Sequence, residues 1–358
     1  MPEGPEKQTT KARLGRYAMW VLALVALSFV AWAVPIRDRC LEPGASSDTS
    51  KVSVTREADG CTLYSKAGPT RIGSQRCGQL TCEAGLATTL AHTRLEFLLG
   101  MVLLYFAGTL VWATRWRALL ALARVSATPW EVWRVTLEAQ AGGLLLPGGI
   151  GGDALRVVEM SRRGGQTAKV AASVALERMV GLASLAFVAL VCAVAFGARD
   201  IDSRLLAFLA SLPVGFAGLW VVLRTKAPQG WSWLPAPLRP VLEYAREPGG
   251  SKALLRAVVL SLGVSLVNLA VVRGMIAATG VTPSVEGAVY VGTTLAFVVS
   301  ALPGVPGAWG TGDAAYVLFL GFAGIEPPAA LAVCLLYRLL WYLSGVVGAV
   351  LLLSRPRR

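Results

Sequence analysis

Long apolar runs separated by short polar links dominate the chain. Runs of about 18 residues or more, the length a helix needs to cross the hydrocarbon of a bilayer, fall at about 17–34, 95–114, 170–196, 203–223, 253–278 and 328–353. Two further stretches, roughly 135–165 and 285–323, are apolar but broken by Pro and Gly. The pattern predicts an all-α polytopic membrane protein. It has about six full spans, with the two broken stretches folded into helical hairpins that enter the membrane and return. The alternative for the second is a full span at 285–302 followed by a short one at 313–325, about eight helices in all with the same end topology.

Charge gives the sides. Only 15% of the 358 residues are charged against 55% hydrophobic, and the net charge of +13 comes from Lys and Arg gathered between spans, as retention on the cytoplasmic side requires. The N-terminal tail (1–16), the Arg115/Arg117/Arg124/Arg134 segment, the Arg224–Arg256 loop and the tail 355–358 read as cytoplasmic. The 35–93 insert and the links 197–202 and 279–284 read as external. Val34-Pro35 is no small-x-small cleavage site, so 17–34 reads as a retained signal anchor. The location is then the cell membrane with both termini cytoplasmic, and the main transmembrane domain covers 94–354. No basic stripe or nucleic-acid motif accompanies the positive charge, which excludes nucleic acid as the partner.

The insert is polar and rich in Ser, Thr and Gly. It holds Cys40, Cys61, Cys77 and Cys82, four of the six cysteines. An even number in an exported loop predicts two disulfides, which can be paired in three ways. Zinc is disfavoured because paired C-x₂-C units are lacking and the single His92 lies at the membrane edge. The insert is also the natural place for an envelope protein partner to dock.

The two broken stretches resemble each other. LPGGIGGDA (146–154) and LPGVPGAWGTGDA (302–314) each run from Leu-Pro-Gly to Gly-Asp-Ala between apolar arms, which points to an internal repeat. Pro147 and the glycines break the helix in the first, and the arms that follow are about ten residues, too short to span the membrane. One hairpin starts and ends on the cytoplasmic side and the other outside. Broken segments in corresponding positions of two oppositely oriented halves point to a transporter site near the midplane.

Ionisable residues at membrane depth are costly and mark function by default. Glu177 and Arg178 lie within 170–196, Arg273 within 253–278 and Arg338 within 328–353. Glu177 reads equally well as a helix-pinning ion-pair member and as a substrate contact. Arg156, Arg178 and Arg338 read as phosphate contacts, because a planar guanidinium suits that anion. Asp153 and Asp313 read as caps on helices whose N-termini face the membrane interior. The expected substrate-binding set is Gly149, Gly151, Gly152, Asp153, Arg156, Glu177, Arg178, Pro303, Gly307, Gly310, Asp313 and Arg338. Tyr337, Trp341 and Tyr342 are packing or interfacial aromatics that can also line the cleft. No P-loop, H-E-x-x-H, G-x-S-x-G or Cys/His cluster is present, so neither a metal nor a cofactor is expected, and no residue is assigned a catalytic role.

LPGGIGGDALR, ALERMVGL (175–182), LPGVPGAWGTGDAA (302–315) and LLYRLLWY (335–342), in that order, resemble the lysylphosphatidylglycerol synthase transmembrane-region family, also called flippase-like integral membrane proteins. The resemblance runs from about Leu95 to the end. It places the family's Gly-Gly-Asp on Gly151, Gly152 and Asp153, and its Glu-Arg on Glu177 and Arg178. It implies a membrane domain of about eight helices that moves aminoacylated phospholipid or handles lipid-linked sugars. Aminoacyl transfer in that family resembles the work of a separate soluble domain that is not in this sequence, so translocation rather than synthesis is implied. Two departures stand out: Gly312 and Asp313 replace the usual Arg-Glu of the second elbow, and the 36–93 insert is atypical. The function expected is therefore flippase- or scramblase-like transport of an anionic or aminoacylated phospholipid, or of a polyprenyl-phosphate-linked lipid. The alternatives are a non-transporting partner in an envelope lipid or glycan pathway and, third, a lipid-phosphate transferase with Asp153 or Glu177 as base.

Overall fold

The computed structural model describes residues 21, 24–41, 51–57, 60–65, 68–77, 80, 82–145, 150–164, 166–196, 202–225, 246, 248–301 and 308–354. Its helices are α1 (Leu24–Ala33), α2 (Leu86–Ala91), α3 (Leu95–Leu120), α4 (Pro129–Leu145), α5 (Ile150–Ser161), α6 (Thr167–Ala195), α7 (Ser203–Thr225), α8 (Gly250–Ala278), α9 (Glu286–Ser300), α10 (Thr311–Leu320) and α11 (Pro327–Leu353). Five of them, α3, α6, α7, α8 and α11, are long and apolar enough to cross a membrane. Large apolar side chains such as Val194, Val214 and Leu353 stand exposed on their outer faces. Outward apolar surface is costly in water and neutral in lipid. The protein is an all-α polytopic membrane protein in its helical part.

The insert, in contrast, is a five-stranded antiparallel sheet in the order β4-β3-β2-β1-β5. Its strands are β1 (Asp38–Leu41), β2 (Lys51–Glu57), β3 (Gly60–Ser65), β4 (Gly68–Gly73) and β5 (Cys82–Glu83). Both expected disulfides form, and the pairing is Cys40–Cys82 and Cys61–Cys77. The first joins directly opposed residues of β1 and β5. The cystines, with Val54, Leu63 and Leu80, form the small core of this sheet. A hydrogen bond from the Gly85 amide to Asp38 Oδ1 (2.8 Å) fastens the sheet to the start of the helical part.

Both broken stretches are antiparallel pairs of short helices. In α4–α5 a Cβ on Gly152 would lie 2.4 Å from the Ala139 carbonyl oxygen, and in α9–α10 one on Gly292 would lie 2.4 Å from that of Phe319. Glycine is required at both for the backbones to come this close. At 1.5 Å per residue, α5 with 12 residues and α10 with 10 are each too short to cross hydrocarbon. The open ends are tied: Arg163 donates to Glu131 across α4–α5, and the Ser284 amide donates to the Ala323 carbonyl (2.8 Å) across α9–α10.

The halves α3–α6 and α8–α11 interlock. Gly108 of α3 faces Val267 of α8, and Met101 faces Gly274, so the first helices of the two halves cross antiparallel through small residues. Helix α4 lies on α11, where the Leu137 carbonyl oxygen sits 2.0 Å from a Cβ built on Gly348. Helix α9 lies correspondingly on α6. Antiparallel first helices with crossed hairpins are the relation an inverted repeat requires.

Two boundaries differ from those read in the sequence. The span placed at 95–114 continues to Leu120 as α3, so Arg115 and Arg117 are helical residues, not loop charges. Arg134 likewise lies within α4, paired with Glu138 at 2.9 Å. Of the span at 17–34, Leu24–Ala33 is helical and 17–20 lie outside the described residues.

Candidate functional site

Each hairpin presents an aspartate to an arginine on the long helix that follows. Asp153 Oδ2 accepts from Arg178 Nε at 2.6 Å, and Asp313 Oδ1 accepts from Arg338 Nη2 at 2.8 Å. One offset carries Asp153 onto Asp313 and Arg178 onto Arg338. The same offset carries Gly152 onto Gly312, Tyr105 onto Ser265 and Gln140 onto Ser300. The pairs differ in exposure: the Arg178 and Asp153 side chains are 43% and 26% accessible, those of Arg338 and Asp313 only 7% and 3%. The second pair is closed over by Trp309, whose ring lies 4.0 Å from the Arg338 guanidinium carbon.

A cavity of about 560 Å³ lies between the halves, and both Arg178 and Arg338 line it. Its wall draws on every helix of both halves except α5. Tyr105, Trp112 and Arg115 come from α3, Gln140 from α4, Ser265 and Asn268 from α8, and Tyr337 and Trp341 from α11. The volume is that of a small-molecule or headgroup site.

A second ion cluster sits beside the cavity. Glu177 is buried and receives Arg156 Nη2 on Oε2 (2.6 Å) and Arg115 Nε on Oε1 (3.1 Å); Arg115 Nη2 and the Trp112 indole N–H also donate to Oε1. Arg115 also donates to Ser261 Oγ at 3.2 Å. The Arg156 guanidinium stacks over Trp116 at 3.9 Å. A buried carboxylate shared by two guanidiniums and an indole meets the requirement that charge in a low-dielectric interior be paired and hydrogen-bonded. The cluster joins α3, α5 and α6. Because Arg115 also lines the cavity, this cluster fixes one wall of it.

Of the expected substrate set, Arg178, Arg338 and Gly312 line the cavity. Asp153 and Asp313 bind its arginines. Arg156 and Glu177 are buried in the neighbouring cluster, and Gly151, Gly152 and Gly310 serve the helix starts of α5 and α10. Gly149, Pro303 and Gly307 lie outside the described residues. Asp313 also accepts the Gly310 amide (2.9 Å), closing the α10 N-terminus as a cap does. Asp153 differs: its partners among the described residues are Arg178 and, at 3.8 Å, Arg156. Arg273, the other charge read at depth, pairs with Glu286 at 2.6 Å.

Arg115, Trp112, Gln140, Asn268 and Tyr316 escaped the sequence reading. Arg115 was hidden in a basic cluster that looked like a loop. The apolar residues of TLVWATRWRALLALA, unbroken by Pro or Gly, are the signal that carries the helix through it. Among the described residues, no three His, Cys, Asp or Glu side chains gather as a metal site needs. No curated protein matches the sequence. Over residues 84–348, which include both hairpins, both Asp–Arg pairs and the whole cavity wall, the chain matches the Lysylphosphatidylglycerol synthase TM region, and it belongs to that family of multi-pass, lipid-related membrane proteins.

Proposed function

We propose that this protein moves lipids with an anionic, phosphate-containing headgroup between the leaflets of the cell membrane. The headgroup passes through the cavity while the hydrocarbon chains remain in lipid. The observation carrying this reading is the pair of repeat-related arginines, Arg178 and Arg338, that share one cavity and are each held by a hairpin-tip aspartate. A guanidinium carries five N–H donors, so one already held by a carboxylate still offers others to a phosphate oxygen. The remaining donors of Arg178 and Arg338 give a headgroup two alternative docking points on opposite halves. In this reading the hairpins enter from opposite faces, and both termini are cytoplasmic, following the Lys/Arg bias. Asp153, Glu177 and Asp313 are each engaged by an arginine, which supports transport over group transfer.

The test is leaflet exchange of fluorescent phosphatidylglycerol in liposomes holding the purified chain, read as the fraction quenched by an impermeant reductant. Exchange well above protein-free vesicles is expected. Arg178→Ala and Arg338→Ala should each slow it about tenfold or more, the loss of one charge-assisted hydrogen-bonding partner. Exchange unaffected by both substitutions overturns the site. Absence of exchange for every phosphate-bearing lipid tried overturns transport.

A further inference from the structure

The cavity wall has unmatched donors. Arg338 gives Nη2 to Asp313, but its Nη1 makes no hydrogen bond with any described residue. The Gln140 Oε1 accepts from both Tyr105 (3.2 Å) and Ser344 (2.8 Å), which leaves its Nε2 amide hydrogens unpaired. The Tyr316 hydroxyl has no hydrogen-bond partner among the described residues either. All three residues line the cavity, and they are 6%, 4% and 3% exposed. A buried donor without an acceptor is costly, so a ligand that completes this wall must bring acceptor oxygens.

The charge of the wall points the same way. Three arginines line it, Arg115, Arg178 and Arg338, and no Asp or Glu does among the described residues. The elbow segments 146–149 and 302–307, outside the described residues, contain no acidic residue in sequence. The nearest carboxylates are already engaged by arginines. An ammonium group brings donors only and would face guanidiniums, a costly like-charge juxtaposition. Neutral hydrogen-bonding groups are plentiful: Asn268, which accepts from Tyr337 (3.3 Å), Ser265 and Ser300.

We infer that the headgroup is a phosphate ester carrying a neutral, hydroxyl-bearing group, such as glycerol or a sugar, and that the cavity discriminates against headgroups bearing an ammonium, aminoacylated lipids included. The inference rests on the proposed transport site and narrows its substrate class. Hydroxyls both accept and donate, so they satisfy Gln140 Nε2 and Tyr316 while the phosphate takes the free Arg338 Nη1. Rejection follows from the repulsive element as much as from the attractive one.

The test compares phosphatidylglycerol with lysylphosphatidylglycerol and phosphatidylethanolamine, carrying the same acyl label, in phosphatidylcholine liposomes holding the full chain. Phosphatidylglycerol should exchange about tenfold faster than either ammonium lipid. Asn268→Asp, nearly isosteric and still an acceptor for Tyr337, should narrow that ratio by admitting an ammonium partner. Lysylphosphatidylglycerol exchanging as fast as phosphatidylglycerol overturns the inference and leaves transport standing. Thermal stabilisation of the detergent-solubilised chain by short-chain forms of the same lipids, and by soluble glycerol 3-phosphate, reads binding without transport. Stabilisation by phosphatidylglycerol alone, with no exchange of any lipid, sinks transport and keeps the selectivity. Stabilisation by glycerol 3-phosphate equal to that of the lipid keeps the ligand chemistry and assigns a soluble source. No stabilisation by any of them and no exchange overturns both.

Discussion

Glu177 holds two guanidiniums and an indole while 1% accessible. Removing its charge leaves Arg115 buried without a counter-ion and Arg156 with only the more distant Asp153 at 3.8 Å, and breaking a buried pair from one side costs about 3–5 kcal/mol. Glu177→Gln is therefore expected to lower the thermal midpoint in detergent by several degrees, and an unchanged midpoint would show that the cluster does not pin the helices. Arg178 is the contrasting case. Its side chain is 43% accessible, so Arg178→Ala should slow exchange with far less loss of stability than Arg115→Ala, measured on the same preparations. The sequence places Glu177 and Arg178 at membrane depth, and neighbours on a helix diverge too far to pair only with each other. Their separate fates follow from that divergence. Which partner each one finds depends on α3 and α5 arriving from elsewhere in the chain, and one residue's spacing does not encode that.

The hairpins depend on glycine contacts that tolerate no side chain. Gly152→Val drives a branched group into the Ala139 carbonyl, 2.4 Å from the first added atom. Overpacking of this kind costs about 1–3 kcal/mol or more, and loss of folded yield with loss of exchange is expected. Gly218 in α7 has nothing within 4 Å of a built Cβ, so Gly218→Ala should leave both intact. Equal damage from the two would contradict the close approach. The elbows were legible because Pro and Gly interrupt an apolar pattern that otherwise continues. The end of α3 was not, since positive charge marks loops and buried ion-pair members alike. The sheet of the insert was invisible for another reason: its strands of two to seven residues carry weak alternation, and the cystine that joins β1 to β5 links residues 42 apart.

At the scale of the whole molecule, an inverted pair of halves places a partly exposed Asp–Arg pair in one half and a buried one in the other. The repeat was visible in the text as two similar elbows. The equivalence of Arg178 with Arg338 became evident only when both appeared on one cavity wall, because their local sequences, ERMVGL and YRLLWY, share little else. The crossed arrangement has a practical consequence. Each half rests the first arm of its hairpin on the last helix of the other, α4 on α11 and α9 on α6, and the first helices cross where Gly108 meets Val267 and Gly274 meets Met101. The information for assembly is therefore written across the interface and does not need the peptide link between α7 and α8. Two separately translated pieces, 1–225 and 246–358, should find each other in a membrane, co-purify through a tag on one of them and recover exchange, whereas Gly348→Val in the second piece should prevent their capture.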